Sequence, residues 1–339
     1  MYKRQILNDV NACSRIVYNG LNGYVITARS MDWEQDIMPN LWILPRGIER
    51  NGQAGEYSAK WNAKYGSVVN TAWDIATSDG MNEKGLVANL LWLVESKYPE
   101  RDASGKVKPL AISLWAQFVL DNFATVNEAV EFFKKGEVMV LTDFIAGSNE
   151  YATMHLSISD ASGDNAIFEY IDGKLDIHHS RDYTVMTNSP PFKEQLTLYS
   201  YWKNIPGTIM LPGTNKAPDR FVRGTFYINS IPKTDDTRLA VSSVFSVIRN
   251  ISVPLGFTTP NEPNISSTRW RSVSDQKNLV YYFETATTPN TFWVDFSKVD
   301  FSEGKSVKKL GLSENQTYAG DASGMFTDSA PFVFQGVGE

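Results

Sequence analysis

β-Forming runs in this chain come in pairs joined by short turns, while helical periodicity is confined to separate stretches. That segregation limits the fold more than any other feature. Arg15–Tyr18 is β-rich, Asn19-Gly20-Leu21-Asn22-Gly23 supplies a tight turn, and Tyr24–Thr27 runs back. Two such runs about an Asn/Gly-rich turn predict an antiparallel hairpin. A second pair, 165–170 and 174–178, meets at Asp172-Gly173. Further strands are expected at 40–45, 66–70, 85–92, 153–160, 279–285 and 291–296. Apolar residues at helical spacing, among them Leu110, Leu114 and Phe118, mark Leu110–Asn122 as a helix. Thr125-Val126-Asn127-Glu128 is a capping box that opens a second helix reaching Lys135. Its Lys134-Lys135 end suits the negative pole of the helix dipole. A third helix is expected over 236–250, with Leu239, Val244, Phe245 and Ile248 on its apolar side. The segments 97–108 and 252–266, rich in Pro, Gly, Ser and Asp, read as surface loops. There is no internal repeat and no regular β–α–β alternation. The indicated class is α+β, with antiparallel sheets and segregated helices.

Composition narrows the function classes. The 339 residues are 42% apolar and 21% charged, enough to bury a large core. A net charge of −6 and a pI near 5.3 argue against nucleic acid as a partner. No stretch approaches the ~20 apolar residues of a membrane span, so no membrane partner is expected. Cys13 is the sole cysteine, which excludes an internal disulfide framework and a cysteine zinc cluster. With only His155, His178 and His179 besides, neither a metal nor a cofactor is expected. Aromatic residues reach 12%, which suits strands and an apolar ligand pocket, although core positions account for most of them.

A lone cysteine is most often a small buried hydrophobe. Here its position changes the reading. Met1–Ala12 has no apolar leader core, yet Val10-Asn11-Ala12 puts small or modest residues where a leader peptidase would cut. Residues 1–12 are expected to be removed as a leader or propeptide remnant, leaving 13–339 as a single domain. This end favours a periplasmic or secreted protein, with a short cytoplasmic propeptide as the alternative. A cysteine exposed in this way carries both a thiol and an α-amine with a pKa of about 7.7–8, so one residue supplies nucleophile and base. Arg29 and Asp32 flank the end of the return strand, where hairpin pairing can bring them beside Cys13. A guanidinium there favours the thiolate, and a carboxylate can orient the α-amine. From spacing alone, a surface salt bridge is the simpler account of that pair.

Five short runs recur in a recognisable order: Cys13-Ser-Arg, Arg29-Ser-Met-Asp32-Trp33, Asp79-Gly-Met-Asn-Glu-Lys-Gly-Leu86, Thr187-Asn-Ser-Pro190 and Asp219-Arg-Phe-Val-Arg223. Together they resemble the choloylglycine hydrolase family, which holds penicillin V acylases and bile salt hydrolases. The resemblance covers nearly the whole chain from Cys13 onward, and Asn290–Val294 loosely resembles a late strand of other members. It implies an N-terminal nucleophile hydrolase, a four-layer αββα sandwich of antiparallel sheets. By the same resemblance Cys13 is the nucleophile, Arg29 and Asp32 stand beside it, Asn188 helps form the oxyanion hole, and Arg220 supports the nucleophile environment. Read without the family, Thr187–Pro190 is merely a turn.

One departure is informative. Bile salt hydrolases commonly carry an Asn a few residues after the Gly-Met-Asn-Glu-Lys-Gly run, but an ungapped count puts Trp92 there, with Asn89 out of register. Trp92, together with Trp33, resembles the Gram-negative penicillin V acylase branch, which includes enzymes acting on N-acyl homoserine lactones. Any second oxyanion donor at position 92 is then a backbone N–H. The expected activity is hydrolysis of a linear amide in a small N-acyl substrate, with Trp33 and Trp92 holding the acyl group and a thioester intermediate on Cys13. The resemblance also implies a homo-oligomer, a tetramer. The rivals are a bile salt hydrolase on the same scaffold and a non-catalytic binding protein with an unprocessed Cys13.

Overall fold

The computed structural model describes residues 12–145, 148–258, 266–288, 290–312, 314 and 316–338. The expected removal of residues 1–12 falls almost wholly outside them. The first hairpin forms as predicted: Ala12–Asn19 pairs antiparallel with Val25–Trp33, setting Cys13 opposite Met31 and Arg15 opposite Arg29. Its turn places Asn22 and Gly23 at φ of 51° and 71°, the left-handed region that Asn and Gly enter at least cost.

Two sheets lie face to face. One has seven described strands in the order Val185–Met186, Ala12–Asn19, Val25–Trp33, Ser267–Asp275, Val280–Thr285, Phe292–Asp295 and Gly320–Asp321, antiparallel except at the last pair. The other has nine, all antiparallel, and is centred on Met154–Ser159, Val87–Trp92, Ala76–Asn82 and Ser67–Ala72. Helices α1 (Trp115–Asn122) and α2 (Val126–Lys134) cover the outer face of the nine-stranded sheet, in a core that includes Trp115, Phe118, Val130, Ala88 and Phe168. Helix α3 (Phe192–Trp202), α4 (Ala217–Ser230) and α5 (Thr237–Asn250) stand on the seven-stranded side. A second core runs from α4 and α5 through that sheet to Leu41, Val68, Met81 and Leu91 of its neighbour. The result is the expected four-layer αββα sandwich, whose buried inter-sheet layer positions the site.

Most predicted elements recur within one or two residues. The capping box forms, with Thr125 Oγ1 accepting from the Glu128 N–H and Glu128 reaching back to the Ala124 N–H. The helix expected from Leu110 begins later. Lys108–Ala111 is drawn into a parallel pair with Val138–Leu141, and a 3₁₀ turn, Ile112–Leu114, intervenes before α1. The expected loop at 97–108 therefore ends in a strand. Of the 252–266 loop, residues 259–265 lie outside the described set. Among the described residues no helix is long and apolar enough to cross a membrane.

Candidate active site

Strand alternation divides the residues around Cys13 between two faces. Arg29 and Met31 share the face turned toward the second sheet, and Asp32 and Ser14 turn the other way, toward α4. Cys13 itself is 2% exposed. On the inner face its Sγ lies 3.7 Å from Met31 Sδ and 3.8 Å from Arg29 Nη2. The Arg29 guanidinium is fixed on several sides. It donates to Ser78 O (3.1 Å) and Leu90 O (2.8 Å), lies over the Trp270 ring at 4.6 Å, and faces Asp79 Oδ2 at 3.9 Å. Ser78 and Leu90 belong to neighbouring strands whose pairing stops at Asp79↔Asn89. Arg29 thus bridges the fork where those strands part, taking carbonyls that would otherwise be left without donors.

On the outer face Arg220, reaching in from α4, donates through Nη1 to Cys13 O and Ser14 Oγ (both 2.5 Å) and through Nη2 to Asn188 Oδ1 (2.8 Å). Asn188 Oδ1 also accepts from the Cys13 backbone nitrogen at 2.5 Å. Both neighbours are donors, so the amide oxygen must face them, and Nδ2 then points to Trp92 O at 2.7 Å. One Nδ2 hydrogen meets that carbonyl. Asp32 is held by Thr268 Oγ1 (2.5 Å) and lies 4.0 Å from Arg220 Nη1. Burial pushes the Asp32 carboxyl up, against the pull of Arg220 and Thr268. Asp79 is likewise pushed up by burial, opposed by Arg29 and by hydrogen bonds from Tyr281, Asn89 and Ser272.

Above the sulfur opens a cavity of about 850 Å³, the open solvent at its mouth included. Cys13, Arg29 and Met31 lie at one end, with Trp33, Trp92, Ile112 and Met154 among the apolar walls. Trp33 and Trp92 meet edge to face with ring centroids 5.1 Å apart. The mouth carries Phe144, stacked on Tyr151. It also carries a late segment that sequence reasoning did not single out. Gln335 donates from its backbone to Ile75 O and from Nε2 to Phe144 O, and Val337 donates to Gln53 O. Phe332 and Phe334 anchor this strap against Trp42 and Arg50.

All seven residues singled out in the sequence therefore converge. Cys13, Arg29, Trp33 and Trp92 line the cavity, and Asp32, Asn188 and Arg220 form a shell behind Cys13. Asp32 is recorded on Thr268 and Arg220, while the Cys13 nitrogen, a peptide N–H following Ala12, is taken by Asn188. Asn89 faces Asp79 at 2.6 Å, as its register requires, and Trp92 takes the position over the cavity. Met31 was legible in principle, since it alternates with Arg29 and sits opposite Cys13 in the hairpin. Thr268 and Gln335 carry no local signal, because distant chain closure alone brings them in. Among the described residues no group of three or more His, Cys, Asp or Glu side chains is placed to share a metal.

Comparison with known proteins agrees with this geometry. The profile of the linear amide C–N hydrolases, choloylglycine hydrolase family, matches residues 13–309. The chain is 50% identical to a penicillin V acylase of Pectobacterium atrosepticum, over 96% of this chain and 93% of that one. It superposes on the structure of a penicillin V acylase from Agrobacterium tumefaciens with a TM-score of 0.89 and 57% identity, covering 96% and 100% of the two chains. It is 24% identical to a bile salt hydrolase/transferase of Clostridium perfringens over 87% of this chain and 95% of that one. The chain belongs to the choloylglycine hydrolase family and is a hydrolase of linear amide C–N bonds, built on the N-terminal nucleophile hydrolase fold.

Proposed function

We propose that the chain cleaves the side-chain amide of penicillin V-type substrates, and of N-acyl homoserine lactones, with Cys13 as an N-terminal nucleophile after loss of residues 1–12. The observation that carries the reading is the arrangement of Cys13. Its sulfur opens onto an apolar cavity beside Arg29, while its nitrogen and carbonyl are gripped by Asn188 and Arg220. Once the upstream bond is cut, the Cys13 nitrogen becomes an α-amine. Asp32, opposite Ala12 in the hairpin register, stands next to the space so vacated.

In the reaction the α-amine takes the thiol proton and the thiolate attacks the acyl carbonyl. Asn188 Nδ2 and a backbone N–H meet the oxyanion. Leu91 and Leu93 direct their backbone groups to the Met154–Ser159 side, so the Trp92 N–H lies on the opposite edge, with the carbonyl that Asn188 contacts. Collapse expels the amine, protonated by the α-ammonium, and leaves a thioester. Water, deprotonated by the same α-amine, then releases the acid and regenerates the thiol. The apolar walls with Trp33 and Trp92 suit an aryl or alkyl acyl group, so selectivity resides in the acyl half.

N-terminal sequencing and intact mass of active protein should show Cys13 first. Cys13→Ala should fold and be inactive. Penicillin V and a long-chain homoserine lactone should be turned over faster than glycocholate. Retention of residues 1–12 in active enzyme, or an active Cys13→Ala, sinks the mechanism. Faster glycocholate hydrolysis makes the enzyme a bile salt hydrolase, and turnover of none of the three favours a binding protein.

A further inference from the structure

Asn188 is useful only if its amide stays fixed, and the segment that carries it, 187–191, joins a two-residue strand to α3. Beyond the bonds of Asn188 itself, both ends of this segment are held from the nine-stranded sheet. His155 on Met154–Ser159 and Glu169 on Asn165–Ile171 are adjacent across the ladder, one step beyond the Leu156↔Phe168 pair. Both are buried, and neither lines the cavity. His155 Nδ1 lies 2.8 Å from Glu169 Oε1, and its Nε2 lies 2.8 Å from Thr187 O, the carbonyl just before Asn188. Glu169 in turn accepts the Phe192 N–H at 3.0 and 3.1 Å, capping the first residue of α3, whose own N-cap, Pro191, offers no side-chain bond. One carboxylate therefore ties both ends of the Asn188 segment, directly at Phe192 and through an imidazole at Thr187.

We infer that His155 and Glu169 are positioning residues for the reaction, holding the Asn188 amide in place through Thr187 and Phe192. The inference rests on Asn188 as an oxyanion donor. The ring meets an oxygen at each nitrogen, Glu169 Oε1 at Nδ1 and Thr187 O at Nε2. Burial by itself would raise the Glu169 carboxyl, but hydrogen bonds from His155, His178 and the Phe192 N–H outweigh it and hold the group at about 2. Geometry, rather than charge, is the requirement. In a Glu169→Gln variant a neutral ring can accept from the new amide at Nδ1 and still donate from Nε2 to Thr187 O.

The test is a set of steady-state kinetics on penicillin V with the processed enzyme. Asn188→Ala should lower kcat by about 10²–10³-fold. His155→Phe, of similar shape but without ring donors, should lower kcat by at least about tenfold with KM within about twofold. Glu169→Gln should restore kcat to within about threefold of the parent. Within the Asn188→Ala background, His155→Phe should cost nothing further, because both act through one amide. If His155→Phe does not fold, His155→Asn, too short to reach both partners, should give the same loss in kcat alone. An unchanged kcat in a folded His155 variant, or an equal loss on top of Asn188→Ala, overturns the inference while leaving Asn188 as a donor. An unchanged kcat in Asn188→Ala overturns the oxyanion role itself and the inference with it.

Discussion

Two buried ion pairs flank Cys13 at nearly the same separation, and they are not alike. Arg29 and Asp79 face each other at 3.9 Å on the inner side, and Asp32 and Arg220 at 4.0 Å on the outer side. In the inner pair the cation attends to the sulfur, and the anion is satisfied by Tyr281, Asn89 and Ser272. In the outer pair the cation attends to the carbonyl of Cys13 and the amide of Asn188, and the anion stands across from Ala12. The inner pair places positive charge beside the Cys13 sulfur. The outer pair fixes the backbone that carries Cys13. One member of each pair comes from a single strand, Val25–Trp33, whose alternation sends Arg29 inward and Asp32 outward.

The comparison can be broken most severely on the inner side. Arg29→Leu strands the Asp79 charge and should destabilise the protein by about 3–5 kcal/mol in urea unfolding, with activity falling at least about 10²-fold. Adding Asp79→Asn should recover much of the stability and none of the activity. Recovery of both would mean that Arg29 is only a partner for Asp79.

Asp32→Asn should separate the outer pair from the inner one. Thr268 can still donate to the new side chain, and Arg220 keeps its bonds to Cys13, Ser14 and Asn188, so stability should fall by only about 1 kcal/mol. Activity should fall about 10²-fold if the carboxylate orients the α-amine. A large stability loss with activity intact would make the outer pair purely structural.

Trp92→Leu leaves both pairs untouched and removes part of the aromatic wall. Its KM for penicillin V should rise about tenfold with kcat nearly constant. The smallest effect on activity concerns a third buried charge, Glu169. Its carboxyl is lowered in the fold from an ordinary 4.5 to about 2. The unfolded chain therefore binds the proton first, and the stabilisation, up to about 3 kcal/mol, is complete above pH 5 and lost as pH falls toward 2. A Glu169→Gln variant should show a shallower loss of stability over that range. An unchanged acid profile would remove Glu169 from the account.

Strands whose apolar residues alternate about Gly-rich turns, and helices with a clean apolar stripe, were legible in the sequence. Several of the longer elements it did not disclose share a cause: many of their buried positions are polar. Ala76–Asn82 is almost entirely buried yet carries Ser78, Asp79 and Asn82. Ser267–Asp275 buries Ser272 and Ser274 because partners across the layer satisfy or enclose them. Helix α4 turns Arg220 and Arg223 inward, so its stripe is interrupted, and α3 buries only Phe192 and Gln195. Hydrophobic periodicity cannot see an interior built from paired charges and amides. That same interior surrounds Cys13, which is why the family runs, rather than periodicity, pointed to Asn188 and Arg220.

The strap of Gln335–Val337 and the strand of Cys13 stand at opposite ends of the described chain, yet they border one cavity. During synthesis the Cys13 sulfur is therefore made before the segment that closes the cavity around it. Until Phe332 and Phe334 seat, the thiol belongs to an open trough. A protease that clips this tail would reopen that trough, altering what is admitted without touching Cys13 or Arg29.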